Sequence, residues 1–317
     1  MPSSNFVVSG LSAYVEQNKD LLLKNFALVG TETRRRIGVQ TGVKYKEHLH
    51  YLALAPVLQS GAECGFSASG TATLSERLIE CADIKVNMDI CPKHLVGKYA
   101  EYLVRINATE NDLPFEQYIM DGIIREINKK IEKLIWQGDK SQTSDADIKW
   151  IDGFLEQMSD EASSLAAAYI SSNGLTAGTT AWNAILAVYK AMPEETLERG
   201  GMIFVSPSLY REFVLDLVAK NFYHYAGPDA AYPDEIYFPG TNVRVVKTPG
   251  LAGTTLQTLV GTFADNLVYG CDMENDNEDI KVWFSDDDDL WKVKVNWNTG
   301  VAYHFPDQVV LAEIKAS

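Results

Sequence analysis

Serine and glycine residues between Gly65 and Gly70 come closest to a nucleophile motif in this chain. The order Gly65-Phe-Ser67-Ala-Ser69-Gly70 imitates G-x-S-x-G, in which a sharp turn between a strand and a helix presents the serine. Ser69 stands where that motif requires glycine, and the flanking sequence indicates the tip of a hairpin. Catalysis at this point is therefore disfavoured. Gly97-Lys98 also lacks the upstream glycine and the following Ser or Thr of a phosphate-binding loop, so nucleotide hydrolysis is not supported.

Cysteine and histidine residues occur at two places with a spacing that a metal could use. Cys91-Pro-Lys-His94 has the spacing of half a zinc site, but no second Cys/His pair is spaced to supply the remaining ligands. His48 and His50 lie on the same face of a predicted strand, with no third ligand near them in the sequence. We therefore expect a buried thiol and a surface histidine at the first place, and a polar strand face at the second.

An acidic segment, Asp272-Met-Glu-Asn-Asp276-Asn-Glu278, has the alternating oxygen ligands of a calcium loop. Asn277 occupies the position that requires glycine, and Trp283 stands where the bidentate glutamate belongs. A solvated loop is favoured over weak cation binding, which these residues leave open. The sequence thus predicts no catalytic residue, no cofactor and no metal.

Composition limits the class of protein. The chain has 317 residues, of which 46% are hydrophobic and 22% charged, and a formal net charge of -15. This length predicts about two domains with a real core, and the acidic balance disfavours general nucleic-acid binding, which depends on Lys and Arg contacts to phosphate. The four scattered cysteines are expected to be reduced thiols. Neither a secretory signal nor a membrane span is predicted, so the expected compartment is the cytoplasm.

Charge is distributed unevenly along the chain. Residues 1–50 contain seven Lys or Arg against four Asp or Glu, whereas residues 265–317 contain four against twelve. Opposite charges at the two ends of one chain suit contacts between neighbouring copies, because complementary potentials steer association. Solvated faces explain the same pattern about equally well.

A long amphipathic helix is the clearest predicted element. Asp112 and Pro114 form its start, and Gly138 lies where a left-handed C-terminal residue belongs. About 23 residues at a rise of about 1.5 Å give a rod of roughly 35 Å, which we expect to lie on a sheet as scaffold. The apolar stripe is Phe115, Ile119, Met120, Ile123, Ile124, Ile127, Ile131, Leu134 and Ile135, and the predicted solvent face is Glu116, Arg125, Asn128, Lys129, Glu132 and Lys133.

Two alternating segments before this helix predict a long β-hairpin. Apolar and polar residues alternate from Ile37 to Tyr51 and again from Thr71 to Ile90. The segment between them, residues 59–70, is rich in Gly, Ser and Ala and is predicted to be the tip. A protruding hairpin cannot bury both faces on its own chain, so its stability implies a neighbouring molecule. Residues 1–36 are predicted to be an arm.

The second half of the chain is predicted to mix helices and strands. A helix is expected from Thr179 to Met192, a strand from Met202 to Val205, and a second helix that begins at Ser206-Pro207. Further strands are expected at 243–246 and 256–260. A final meander should join the sheet below the long helix, with strands 280–284, 290–297 and 301–305, turns at 285–289 and 298–300, and Trp291, Val293, Val295 and Trp297 on one face.

Four stretches carry a resemblance to a known family: Gln59-Ser-Gly-Ala-Glu-Cys64-Gly-Phe-Ser-Ala-Ser-Gly70-Thr-Ala-Thr-Leu-Ser-Glu-Arg77, Lys85-Val-Asn-Met-Asp-Ile-Cys91, Leu113-Pro-Phe-Glu and Ile135-Trp-Gln-Gly-Asp139. They resemble the extended loop and the spine helix of tailed-bacteriophage major capsid proteins, which have the Hong Kong 97 phage fold. The likeness covers most of the chain in order. It implies an α+β protein with an N-terminal arm (1–36), an extended β-hairpin loop (37–90), a peripheral domain (91–162 and 261–317) with a spine helix (114–137), and a central axial domain (163–260).

The resemblance implies a non-enzymatic subunit of an icosahedral phage head, assembled from hexamers and pentamers around double-stranded DNA. Its partners would be copies of itself, portal, scaffold and auxiliary head proteins, and packaged DNA bound without sequence specificity, with no membrane. The protein would be made in the host cytoplasm and located in the virion. The helix begins about 112 residues into the chain, so a long fused scaffolding segment is not expected.

Contacts between copies are expected at the arm, at the hairpin and at an acidic turn. For the three consecutive arginines, an acidic surface of a neighbour is favoured over packaged DNA. Some members of the family cross-link their subunits through a hairpin lysine, but nothing in this sequence indicates that chemistry. The candidate contact residues are Arg34, Arg35, Arg36, Lys44, Lys46, Glu63, Phe66, Asp286, Asp287, Asp288 and Asp289.

Two alternatives remain open at the level of sequence. An encapsulin, the shell of a bacterial compartment, would have the same architecture and would enclose an enzyme instead of DNA. A cytoplasmic hydrolase would need a site scattered through residues 163–260, where His224 is the histidine available as a base.

Overall fold

The computed structural model describes residues 31–58, 69–91, 115–169, 175–176, 178–221, 234–254, 256–272, 279–288 and 290–314. Within these ranges the helices are α1 (Phe115–Gln137), α2 (Phe154–Asp160), α3 (Ala181–Ala191), α4 (Glu194–Glu198) and α5 (Pro207–Ala219). The strands are β1 (Gly38–Thr41), β2 (Lys46–Pro56), β3 (Gly70–Ile90), β4 (Ala167–Tyr169), β5 (Met202–Val205), β6 (Glu235–Tyr237), β7 (Arg244–Lys247), β8 (Gln257–Thr262), β9 (Leu267–Cys271), β10 (Asp279–Ser285), β11 (Leu290–Tyr303) and β12 (Val310–Ile314).

Two mixed sheets form the framework. The first has the strand order β1-β9-β11-β3-β2, with β10 also paired to β11, and the second has the order β4-β12-β8-β5-β7-β6. In the first sheet, residues 81–90 of β3 pair antiparallel with β11, and β1 pairs parallel with β9. Helices packed on mixed sheets confirm the predicted α+β class.

The long helix α1 packs on the first sheet, as its apolar stripe predicts. Ile127 and Ile131 are 4% and 1% exposed, and they share one core with the inward face of β11. The residues of that face, Trp291, Val293, Val295 and Trp297, are all buried on the same side of the strand because side chains in a strand alternate. Asp112 and Pro114, the predicted start of the helix, lie outside the described residues.

The end of α1 is fixed by close packing between two glycines. A Cβ on Gly138 would lie 2.5 Å from the carbonyl oxygen of Ile151, and the amide of Gly153 donates to the carbonyl of Gly138 at 2.9 Å. Gly138 does not have a positive φ, so the predicted left-handed conformation is wrong. Glycine is needed at this position because no side chain would fit.

The second sheet is covered on one face by α3 and α5 and on the other by the end of α1. Thr180 and Ser206 cap α3 and α5 by accepting from the amides of Asn183 and Leu209. The start predicted at Ser206-Pro207 is confirmed, whereas α3 begins at Ala181 and not at the predicted Thr179. Ile203 and Val205 of β5 face the two helices, whereas Phe204 faces the core that α1 shares. The alternation along β5 thereby joins two cores through one buried strand.

Two predictions about where a strand is continuous are wrong. The segment expected as one strand from Ile37 breaks at Gly42, where φ is +84°, into β1 beside β9 and β2 beside β3. Conversely, residues 298–300 form no turn, and β11 runs straight through them. A Cβ on Gly300 would lie 2.3 Å from the carbonyl oxygen of Glu80 on the adjacent strand, so glycine allows the two backbones to meet.

The last strand does not stay with the first sheet. β12 pairs antiparallel with β8 and parallel with β4, both in the second sheet. Residues 261–317, assigned together from the sequence, therefore contribute β9, β10 and β11 to one sheet and β12 to the other.

Candidate functional site: roots of the arm and the hairpin

Residues 31–36, here called the arm root, are docked on α1 of the same chain. The guanidinium of Arg34 donates to the hydroxyl of Thr31 and to the side-chain oxygen of Asn128, both at 3.1 Å, and lies 5.1 Å from the centre of the Tyr269 ring. Arg34 is 2% exposed. Its guanidinium therefore has partners inside its own chain, and a contact of Arg34 with a neighbouring copy stays a prediction.

A buried carboxylate holds the arm root from the helix side. Glu132 accepts hydrogen bonds from the backbone amide of Thr33 at 3.3 Å and from the Thr33 hydroxyl, and Trp136 Nε1 donates to that same hydroxyl oxygen at 2.7 Å. Burial raises the pKa of Glu132, while hydrogen bonds from Thr33 and Thr31 and the charge of Arg34 oppose the rise. Glu132 is 4% exposed, so its predicted place on the solvent face of the helix is wrong.

Arg35 and Arg36 lie nearer the surface than Arg34. The Arg35 side chain is 53% exposed and pairs with Glu32 at 3.3 Å. Arg36 pairs with Glu32 at 2.7 Å and reaches Glu235 of β6 at 3.6 Å. Arg36 thus connects the arm root to the edge strand of the second sheet, and Arg35 presents the most accessible guanidinium of the three.

The hairpin consists of β2 and residues 70–80 of β3, which pair with each other from Lys46↔Glu80 to Pro56↔Gly70. At its root, Glu80 forms ion pairs with Lys46 and, at 3.0 Å, with Lys140, which also contacts Asp152 at 3.2 Å. Hydrogen bonds from Lys46 and Lys140 lower the pKa of Glu80. The predicted contact residue Lys46 is therefore paired in its own chain, whereas Lys44 is exposed.

A second clamp ties β3 to the body of the molecule. Arg77 pairs with Glu161 at 2.6 Å and stacks at 4.1 Å on the ring of Tyr303, whose hydroxyl donates to Glu161 at 2.7 Å. Burial and the bond to Glu161 raise the pKa of Tyr303. A cleft of about 370 Å³ lies among these groups and the Glu80–Lys140 pair. Charged contacts at both ends of this cleft fix where the hairpin leaves the sheet.

Beyond its root the hairpin carries exposed apolar side chains. Leu74 is 68% exposed, Leu78 is 40%, and Val57 and Leu58 at the far end of β2 are 57% and 99%. These exposed apolar side chains are the candidates for a contact surface on the hairpin. The predicted tip contacts Glu63 and Phe66 lie outside the described residues.

The acidic turn joins β10 to β11. Asp286, Asp287 and Asp288 are exposed, as expected for a docking point, and Asp288 pairs with Lys292. Asp289 lies outside the described residues. Whether this turn contacts another copy stays a prediction.

The structure describes some of the residues that the sequence offered as metal ligands or nucleophiles. His48 and His50 are stacked at 6.2 Å, and both face Glu76, at 3.5 and 4.0 Å from their Nδ1 atoms. No three acidic, imidazole or thiol groups are arranged to hold a metal within the described ranges. Burial raises the pKa of Cys81 to about 12, so its thiol is protonated at neutral pH. Ser67, Cys64, His94, His224 and residues 273–278 lie outside the described residues.

Sequence reasoning missed the network of Thr31, Thr33, Glu132 and Trp136. Its partners are about a hundred positions apart, and a charged residue beside an apolar stripe is ordinarily placed in solvent. An available signal was the position of Glu132 three and four residues before Ile135 and Trp136, which places it on the same side of the helix as these two buried residues.

Comparison with solved structures identifies the fold. A chain in the structure of the satellite phage P4 procapsid, which includes the size determination (Sid) protein, matches with a TM-score of 0.63 and 14% identity over 96% of both chains. This chain has a phage capsid fold. A chain from the capsid of the empty GTA particle, computed with C5 symmetry, matches with a TM-score of 0.57 and 10% identity over 90% of both chains. A chain from Gordonia phage Cozz matches with a TM-score of 0.54 and 11% identity over 90% of this chain and 87% of that one.

No protein-family model and no curated protein sequence matches this chain. At identities of 14% and below, the shared feature is three-dimensional arrangement. Among the described residues, no helix has both the length and the apolar character needed to cross a membrane.

Proposed function

We propose that this chain is the major capsid protein of a tailed phage, a subunit that assembles as hexamers and pentamers into an icosahedral shell around double-stranded DNA. The observation that carries the proposal is the match to a P4 procapsid chain over 96% of both chains.

The projecting hairpin supplies a physical reason to assemble. Fully burying one leucine side chain stabilises a contact by about 1.5 to 3 kcal/mol. Leu58 and Leu74 are 99% and 68% exposed in the single subunit, so a partner that covers them gains most of that free energy. Repeated in every copy, such contacts add to the free energy that favours a closed assembly at high subunit concentration.

The remaining partners follow from the charge and the fold. With a net charge of -15, the chain would contact packaged DNA weakly and without sequence specificity. Portal, scaffold and auxiliary head proteins would meet the assembled shell, which places the protein in the virion. The role is structural, with no catalytic residue, and neither the encapsulin nor the hydrolase alternative gains support from the matched structures.

Leu74 offers a direct test of this assembly. Leu74→Glu places a charge on the exposed face of the hairpin and should prevent closed shells, whereas Leu74→Met keeps an apolar side chain and should allow them. Sedimentation velocity measures the particles, and circular dichroism shows that both variants fold. Normal shells from Leu74→Glu would mean that the hairpin surface does not hold neighbouring copies together.

A further inference from the structure

The last turns of α1 carry two attachments at once. On one side, Glu132 and Trp136 bind Thr33 of the arm root. On the other, the side-chain amide of Gln137 donates to the carbonyl oxygens of Gly250 at 2.5 Å and Ala252 at 2.9 Å. Residues 249–252 connect β7 to β8, so this second attachment belongs to the second sheet.

The two attachments involve the same two residues of the helix, Glu132 and Trp136. A Cβ on Gly250 would lie 2.4 Å from the carbonyl oxygen of Glu132 and 2.4 Å from Cδ1 of Trp136. The Trp136 ring is fully buried, 5.3 Å from the ring of Phe204 on β5. The indole that donates to Thr33 is therefore the same group that packs on the 249–252 connection and on the second sheet.

Such packing leaves the indole little freedom to adjust. Protein interiors are dense, so displacing a buried ring on one side changes its contacts on the other. If Thr33 moves away, Trp136 Nε1 loses its acceptor while still buried, which favours a shift of the ring. That shift would act on Gly250, where there is no spare space.

We propose that residues 132–137 of α1 are a coupling element, through which docking of the arm root and docking of the 249–252 connection on α1 stabilise each other. The coupling is a property of the single subunit and does not depend on the proposed shell. In an assembly, a neighbour that pulls on the arm would thereby weaken the docking of the 249–252 connection on α1 of the same chain.

Two substitutions perturb the element from opposite sides. Thr33→Val removes the hydroxyl that bridges Glu132 and Trp136 and keeps the shape of the side chain. Gly250→Ala adds a methyl group where Glu132 and Trp136 leave no room, and the φ of Gly250 is not positive, so the backbone itself tolerates alanine. Gly122→Ala is the matched control, because a Cβ there meets nothing within 4 Å.

Hydrogen exchange of the chain, at a concentration that keeps it unassembled, measures the docking of both the arm root and the 249–252 connection. The amide of Arg36 bonds to the carbonyl of Thr33 at 2.9 Å, and the amide of Ala252 bonds to the carbonyl of Pro249 at 3.0 Å. We expect Thr33→Val to raise exchange at Ala252, and Gly250→Ala to raise exchange at Arg36, by a similar factor of about fivefold. Because thermodynamic coupling is reciprocal, the effect is required in both directions.

The amides of Ile203 and Val205 on β5 serve as an internal reference, since β5 lies in the interior of the second sheet and both side chains face α3 and α5, on the other side of the sheet from Trp136. Their exchange should stay unchanged in Thr33→Val and in the Gly122→Ala control. If Thr33→Val accelerates exchange at Arg36 and leaves Ala252 as in the wild type, the coupling does not exist. Should Gly250→Ala fail to fold, the response of Ala252 to Thr33→Val decides the matter alone.

Discussion

Glu132→Ala should destabilise the subunit strongly, although it replaces a single residue on a helix. The carboxylate accepts from Thr33 and lies in the field of Arg34, which is 2% exposed. Removing the carboxyl group leaves the buried amide and hydroxyl of Thr33 without their acceptor, at about 1 to 3 kcal/mol for each group, or about 2 to 6 kcal/mol in total. At roughly 2 °C per kcal/mol for a chain of this size, the melting temperature should fall by about 4 to 12 °C.

The pH dependence gives this prediction a second signature. Burial raises the pKa of Glu132 above its ordinary value of 4.5. The folded state therefore holds the proton more tightly than the unfolded chain, and the contribution of Glu132 to stability is fully present below 4.5 and falls as the pH rises through the raised pKa. The melting difference between the wild type and Glu132→Ala should be larger near pH 5 than near pH 8.

Differential scanning calorimetry of both proteins across that range measures the effect. Glu126→Ala is the control on the same helix, because Glu126 is 66% exposed and bonds to Lys129 at the surface. It should melt close to the wild type at every pH. Equal melting of the two variants, or a difference that grows toward alkaline pH, would refute the account of Glu132 as a buried anchor.

Three further predictions address the helix, the thiols and the hairpin tip. Ile127→Asp should lower the free energy of unfolding by several kcal/mol because Ile127 is 4% exposed, whereas Lys129→Asp should change it by about 0.5 kcal/mol or less. Equal melting temperatures of the two variants would contradict the assignment of the Ile127 face of the helix to the core. Cys81 should react with iodoacetamide far more slowly than the less buried Cys91 in the folded chain, and comparable labelling by mass spectrometry would contradict its burial. Shortening residues 59–70 should preserve cooperative unfolding by circular dichroism but abolish regular particles in sedimentation, and normal shells would make the tip dispensable.

Local sequence patterns correctly predicted those elements in which local preference and tertiary packing favour the same structure. The period-two alternation that ends at Ile90 places β3 correctly, and Ser206 caps the helix that was expected to begin at Ser206-Pro207. In β11, Trp291 to Trp297 face the core because every second residue is apolar. Propensity and tertiary packing favour the same structure in these segments, so the prediction succeeds.

Prediction failed where distant residues decide the local structure. Asn298-Thr-Gly300 has a turn composition, yet the Asn298 amide donates to the carbonyl of Lys44 and to Asp83, and these bonds hold it in a strand. Glu132 depends on Thr33, 99 positions away. At the predicted contact residues, Arg34 and Lys46 proved to have partners within the chain, and no sequence pattern distinguishes such pairs from contacts between copies.

Electron microscopy of this chain tests most directly whether its copies close into a shell. Purified protein should be imaged at rising concentration, in low and high salt, and with phage head proteins added. We expect closed particles of uniform diameter, more abundant at low salt because screening weakens the charge-steered contacts. A protein that stays monomeric in every one of these conditions would contradict the account.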